Sequence, residues 1–187
     1  MDGIRLNAPV AGQDILALRA GDRVLLSGTV YTARDAAHRR MAELIGSGGE
    51  LPFELEGAAI YYCGPAPAPP GRVMGAAGPT TSYRMDAYAP ALIGRGLAVM
   101  IGKGPRKEPV REAMREHGAV YLAAEGGAGA LLASCVEACE TIAWPDLGPE
   151  AVRRLTVRDM PLVAACDAAG GNLYESGPAA YLASCGK

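Results

Sequence analysis

At 187 residues the chain is long enough to bury a hydrophobic core and short enough to be read as one domain, residues 1–187. Half of it is apolar, and 18 Lys and Arg against 20 Asp and Glu leave a net charge of −2. Such a balance lacks the clustered positive field of a nucleic-acid or membrane-surface binder, so small ligands are the natural partners.

The chain opens on residues 1–13 (MDGIRLNAPVAGQ), which lack the basic segment and apolar stretch of a leader. No apolar run approaches the roughly 20 residues of a membrane span, and a soluble, cytoplasmic location is expected. Residues 22–26 (DRVLL) read as a strand and residues 34–45 as a helix closed by Gly46-Ser47-Gly48-Gly49. A second strand, residues 58–62, runs into residues 63–81, a Pro- and Gly-rich loop whose length suggests binding rather than simple connection. The pattern then predicts a helix over 83–93, a strand over 97–101 and a helix over 108–117, with Val110, Met114 and His117 on its apolar side. A strand over 119–123 and a helix over 128–142 follow. The tail, residues 153–175, reads as strand, turn, strand, with the turn at 167–172. Strands alternating with helices, and an antiparallel tail, give an α/β domain with a mixed sheet.

Three segments set hydroxyl and cationic residues just after strands, where open α/β sheets place their ligands. In Ser27–Arg40 (SGTVYTARDAAHRR), Thr32 is a candidate helix cap, with Arg34 and Asp35 in the first turn and His38 one turn on. Asp35 suits the positive end of the helix without further purpose. Arg34 does not, and becomes sensible when an anion binds there. His38 reads equally as a proton carrier or as a residue between helix and loop. In Gly78–Asp86 (GPTTSYRMD), Thr80, Thr81 and Ser82 exceed what one cap needs, and with Arg84 they resemble an anion cradle. In Met100–Pro105 (MIGKGP), Lys103 between glycines is no phosphate-loop lysine: that pattern needs glycine where Leu97 stands and Ser or Thr where Gly104 stands. Lys103 is read as a point charge lent to a bound anion.

Two arginines, a lysine and a run of hydroxyls imply a ligand with more than one negative charge, such as a dicarboxylate. Paired catalytic carboxylates, a histidine cluster and a nucleophile elbow are all missing from the sequence. The five cysteines, Cys63, Cys135, Cys139, Cys166 and Cys185, lack structural-zinc spacing. Cys135 and Cys139, four apart on the predicted helix, share a face that could bind a metal, but packing is the stronger reading.

At these motifs the sequence resembles the β subunit, or C-terminal domain, of the class I iron-sulfur hydro-lyases, the fumarase and L-tartrate dehydratase family. The resemblance runs through SGTVYTARDAAHRR, LPFELEGAAIYYCGP, GPTTSYRMD, MIGKG, GAVYLAAEGGAGAL and DMPLVAACDAAGGNLYE in order. It implies a swivelling β/β/α domain with a central mixed sheet, a second, smaller sheet and helices. It also implies an active site shared with an α subunit whose three cysteines carry a [4Fe-4S] cluster, in an αβ heterodimer or its dimer, with no metal on this chain. Arg34, Arg84 and Lys103 then bind substrate carboxylates beside Thr81 and Ser82, and Thr80 is the base for the carbon-bound proton. Asp35 and His38 are secondary candidates. The implied reaction is hydration of fumarate to malate, with tartrate dehydration as the alternative and a non-catalytic dicarboxylate-binding module as the rival from another class.

Overall fold

The structure, a computed structural model, describes residues 3–186. Its strands are β1 (Ile4–Ala8), β2 (Arg23–Thr32), β3 (Ala59–Tyr61), β4 (Val99–Gly102), β5 (Val120–Ala123), β6 (Val136–Ala143) and β7 (Val152–Cys166). Its helices are α1 (Gly12–Ala17), α2 (Asp35–Ser47), α3 (Ala89–Ile93), α4 (Glu108–His117), α5 (Gly129–Ser134) and α6 (Leu173–Ser184), with short 3-10 turns at Ser82–Met85 and Pro145–Glu150. Among the described residues no helix is long and apolar enough to cross a membrane.

Strands β1 to β5 are mutually parallel, in the order β1-β2-β3-β4-β5. The 15-residue β7 runs antiparallel to them and pairs with β5 through its C-terminal end. It also pairs with β2 along its length, while β6 lies against its N-terminal part. The ring β2-β3-β4-β5-β7-β2 therefore closes, giving a mixed sheet curled into a partly closed barrel. All seven strands belong to this one connected sheet, in place of the separate second sheet expected from the sequence. Closure depends on an irregularity where Gly28, at φ 96, faces a register shift, and Asp159 takes φ 47 with its N–H donating to the Ser27 hydroxyl at 3.0 Å. Such a bulge bends a strand so that its two ends can serve different neighbours.

The period of two along the strands sorts the core into two layers. Val24, Leu26 and Val30 of β2, Ala59 and Tyr61, Val99 and Ile101, and Val120 and Leu122 point into the barrel with Leu155 and Val157. Ile60, Tyr62, Met100 and Tyr121 point outward, where Ala37 and Met41 of α2, Leu92 and Ile93 of α3 and Val110 and Met114 of α4 cover them.

Several sequence expectations are corrected. The helix predicted over 83–93 is two pieces, because Pro90, with no N–H for a continuous helix, sits instead in the first turn of α3. The helix predicted over 128–142 stops at Ser134, and the rest is β6, whose Val136, Thr141 and Ile142 fit a strand once β7 lies alongside. Cys135 thus ends α5 while Cys139 sits on β6, so they share no helical face. The turn at 167–172 is where it was placed, but Asn172 then accepts from the Tyr174 N–H at 3.1 Å and donates to Glu175 at 2.8 Å, opening α6 rather than a strand. His117 lies on the exposed side of α4.

Candidate functional site

Because β2 to β5 are parallel, the segments that follow them emerge at one edge of the sheet. Residues 80–82 lie across that edge as a strap between the ends of β3 and β4. The Thr80 N–H donates to the Tyr62 carbonyl at 2.6 Å, the Ser82 N–H to the Lys103 carbonyl at 2.9 Å, and the Lys103 N–H to the Thr80 carbonyl at 3.4 Å. Backbone pairing therefore sets the register of Thr80 and Thr81 against Lys103. Thr80 and Thr81 are half-buried and Lys103 is exposed.

Ser82 is the exception in this group: it is fully buried and its hydroxyl lies 2.8 Å from the Tyr121 hydroxyl. Tyr121 gives its own proton to the Gly104 carbonyl at 2.9 Å, so Ser82 is the donor of the pair. Its hydroxyl anchors the strap instead of facing the surface. The glycine before Lys103 has the same origin, since a Cβ on Gly102 would stand 2.1 Å from Ser82 Oγ and 2.9 Å from the Tyr62 ring.

The arginines form a second group. Arg34 is the residue immediately before α2 rather than one in its first turn, and its backbone is extended. Thr32 does not cap α2 either: its buried hydroxyl donates to the Ala151 carbonyl at 3.3 Å and accepts from the Arg153 N–H at 3.1 Å. The α2 N-terminus is capped from a distance by Glu150, whose Oε2 accepts from the Ala36 N–H at 3.1 Å. Glu150 Oε1 lies 3.3 Å from Arg34 Nη2, and Asp35 Oδ2 lies 3.8 Å from the same nitrogen. Asp35 Oδ1 also holds Arg84 Nε at 2.8 Å, so one carboxylate stands between the two arginines. Arg34 Nε is buried without a hydrogen-bond partner.

Residues 62–64 join the two groups. Tyr62 receives Thr80, while Gly64 lies so close to Arg34 that a Cβ there would stand 2.9 Å from Nη1. The structure thus brings Arg34, Asp35 and Arg84 into one chain of ion pairs and Thr80, Thr81 and Lys103 into one backbone ladder, at the same edge. With Glu150 included, three cations face two carboxylates, a surplus of positive charge suited to an anionic ligand.

His38 lies behind this edge, fully buried, with Nδ1 3.0 Å from the Arg34 carbonyl and its ring edge-on to Tyr62 at 5.1 Å. A carbonyl only accepts, so Nδ1 carries the proton and Nε2 is bare. Burial lowers its pKa from 6.5 to about 4, partly opposed by that hydrogen bond, so the ring is neutral. As the pH falls the unfolded chain takes up this proton first; the fold's stability is intact above about pH 6.5 and drains away towards pH 4. Between pH 7.5 and 4.5 the loss from this group is on the order of 2–3 kcal/mol. Urea unfolding of a His38→Gln variant is expected to lack that part of the acid sensitivity. Parallel stability profiles for the two proteins would remove His38 as its source.

Sequence reasoning missed the support beneath the strap. Arg106, whose side chain is 0% exposed, donates from Nε to Asp86 Oδ1 at 2.7 Å and from Nη1 to the Tyr62 hydroxyl at 3.3 Å. Its guanidinium lies 5.3 Å and 5.1 Å from the Tyr62 and Tyr121 ring centres. Asp86 Oδ2 accepts from the Lys107 N–H at 2.9 Å, which ties the segment after Lys103 to the turn carrying Arg84. Glu150 escaped notice for a different reason: only the folded chain carries it to Arg34.

The thiols are not gathered for a metal cluster among the described residues. Burial pushes the Cys63 thiol far up, against the pull of Arg153 and Arg34, and raises Cys166 to about 11. Cys135, Cys139 and Cys185 belong to different elements, and among the described residues no three His, Cys, Asp or Glu are grouped to hold a metal ion.

The sequence family described as "Fumarase C-terminus" matches residues 1–177. The anaerobic class I fumarate hydratase of Escherichia coli K12 is 37% identical over an alignment 190 residues long, covering 98% of this chain and 34% of that protein. Fumarate hydratase 2 of Leishmania major is 37% identical over 164 residues, 87% of this chain and 29% of its own. The chain spans about a third of the length of these fumarate hydratases. A Methanocaldococcus jannaschii protein named "Putative L(+)-tartrate dehydratase subunit beta" is 39% identical over 169 residues, 87% of each chain.

Proposed function

Since the chain belongs to the fumarase C-terminal family, we propose that it is the β subunit of an iron-sulfur hydro-lyase, working in the cytoplasm with a cluster-bearing α subunit. Fumarate and malate are the substrates this reading favours. Tartrate is the second reading, favoured by the likeness to the Methanocaldococcus protein named as a tartrate dehydratase subunit. The observation that carries the proposal is the assembly of Arg34, Arg84, Lys103 and Thr80 at one edge of the sheet from three separate segments.

In this reading the cations hold the two carboxylates of the substrate. Arg34 and Arg84 suit a carboxylate because a planar guanidinium matches it with two parallel N–H bonds, and Lys103 adds a mobile point charge. Thr80 takes the proton from carbon. A threonine hydroxyl is too weak a base alone, and the surplus positive charge at this edge favours its ionised form. The same cations stabilise the negative charge that builds on the substrate carboxylate as the proton leaves. The cluster is assigned to the partner, in keeping with thiols that are scattered here over separate elements.

The test is to co-express the chain with the three-cysteine polypeptide, rebuild the cluster without oxygen and assay fumarate, malate and tartrate side by side. Turnover of one of them is the expected result. An inactive complex, together with tight binding of malate or fumarate by the isolated chain, would favour the non-catalytic binding module instead.

A further inference from the structure

The segment between β6 and β7 is fastened more firmly than a connection requires. Trp144 takes a left-handed backbone, φ 51 and ψ 56, which a bulky residue holds only where its surroundings over-determine it. Arg40 of α2 lies over the Trp144 ring at 5.7 Å and forks onto both oxygens of Asp146, at 3.1 Å and 2.6 Å. Arg153 gathers the far side, donating to the carbonyls of Gly148, Pro149 and Ala151 at 2.9, 3.1 and 3.3 Å. Thr32 adds its hydrogen bond to Ala151. What all of this presents at the head of α2 is the carboxylate of Glu150.

That carboxylate does two separable things. Oε2 caps α2 at Ala36, and Oε1 faces Arg34 Nη2. The ion pair itself adds little to stability, because the attraction between two largely buried charges is offset by the cost of taking them out of water. Its geometry matters more. Nη2 is engaged by Glu150, Nη1 fills the space that a side chain at Gly64 would take, and the buried Nε is left without a partner.

We propose that Glu150 is a positioning residue for Arg34, fixing the rotation of its guanidinium so that the remaining N–H groups meet a substrate carboxylate without reorganisation. The inference rests on the reading of Arg34 as a substrate holder. A group held in place before the ligand arrives strengthens binding by removing the cost of ordering it.

The experiment uses the reconstituted complex and whichever of fumarate, malate and tartrate it turns over. Glu150→Gln keeps an acceptor for the Ala36 N–H but removes the charge facing Arg34. It is expected to raise KM about ten-fold with kcat nearly unchanged, the signature of lost binding, and to leave the melting temperature where it was. Glu150→Ala is expected to raise KM and lower the melting temperature together, because the cap goes too. Arg34→Ala, run in parallel, separates the two ideas. If Glu150→Gln keeps the normal KM while Arg34→Ala raises it, the positioning role is overturned and the substrate-holding reading stands. If Arg34→Ala changes neither constant, or the unaltered complex neither turns over nor binds any of the three compounds, both fall.

Discussion

Replacing Thr80 with Ala is expected to lower kcat of the reconstituted complex about 10²- to 10⁴-fold, the range typical for loss of a positioned acid–base group. The fold gives this substitution unusual clarity. What Thr80 contributes to the architecture passes through its backbone, by the N–H given to Tyr62 and the carbonyl given to Lys103, and alanine keeps both. The strap is pinned independently by Ser82 on Tyr121. Loss of turnover is therefore expected without loss of assembly or a fall in melting temperature. Thr80→Ser, which restores the hydroxyl, is expected to recover most of the rate. Full activity in Thr80→Ala, measured under saturating substrate, would end the assignment of Thr80 as the base.

The second large effect concerns stability. Asp86→Ala is expected to destabilise the chain by about 3–5 kcal/mol, because it leaves the Arg106 cation buried without its counter-charge. Arg106 has no route to solvent, and the tyrosine rings on either side soften its burial without neutralising it. Urea unfolding at neutral pH measures the loss directly, and a melting temperature lower by roughly 10 °C is the thermal counterpart. Changing both partners to leucine is expected to restore much of the deficit, since two apolar groups of similar volume carry no unpaired charge. An Asp86→Ala loss below about 1 kcal/mol would show that this pair does not hold the region together.

The grouping of the candidate residues was legible because they sit in short segments beside strand ends. Arg34, Arg84 and Lys103 stood out as cations among glycines and hydroxyls, and the parallel strands brought their segments to one edge. The errors have physical causes. Residues 136–143 contain too many small residues to declare a strand, and only pairing with β7 decides the matter. Residues 172–175 did carry a capping signal, Asn172 with Glu175 three residues on, which the apparent strand–turn–strand rhythm obscured. Arg34 was marked as a cation that needs an anion, and the anion it meets in the structure is Glu150, more than a hundred residues away. Nothing local in a sequence announces such a partner. Arg106 and Asp86 were hidden for the opposite reason: charged residues near glycine and proline look like solvated loop, and burial is settled by Tyr62 and Tyr121 packing over them.

The closure of the barrel by β7 has a consequence for the order of events during synthesis. The edge that carries the proposed site is assembled from residues 32–103, but β2 finds its antiparallel neighbour only in residues 153–163. At ribosomal speeds of roughly 5–20 residues per second, the early strands wait on the order of ten seconds with an unpaired flank. Long-range pairing of this kind is slow to form and exposes strand edges to other nascent chains meanwhile. Glu150 arrives with the same late segment, so Arg34 gains its orienting partner only as the barrel shuts. The maturation of the site and the burial of its most vulnerable flank are a single step.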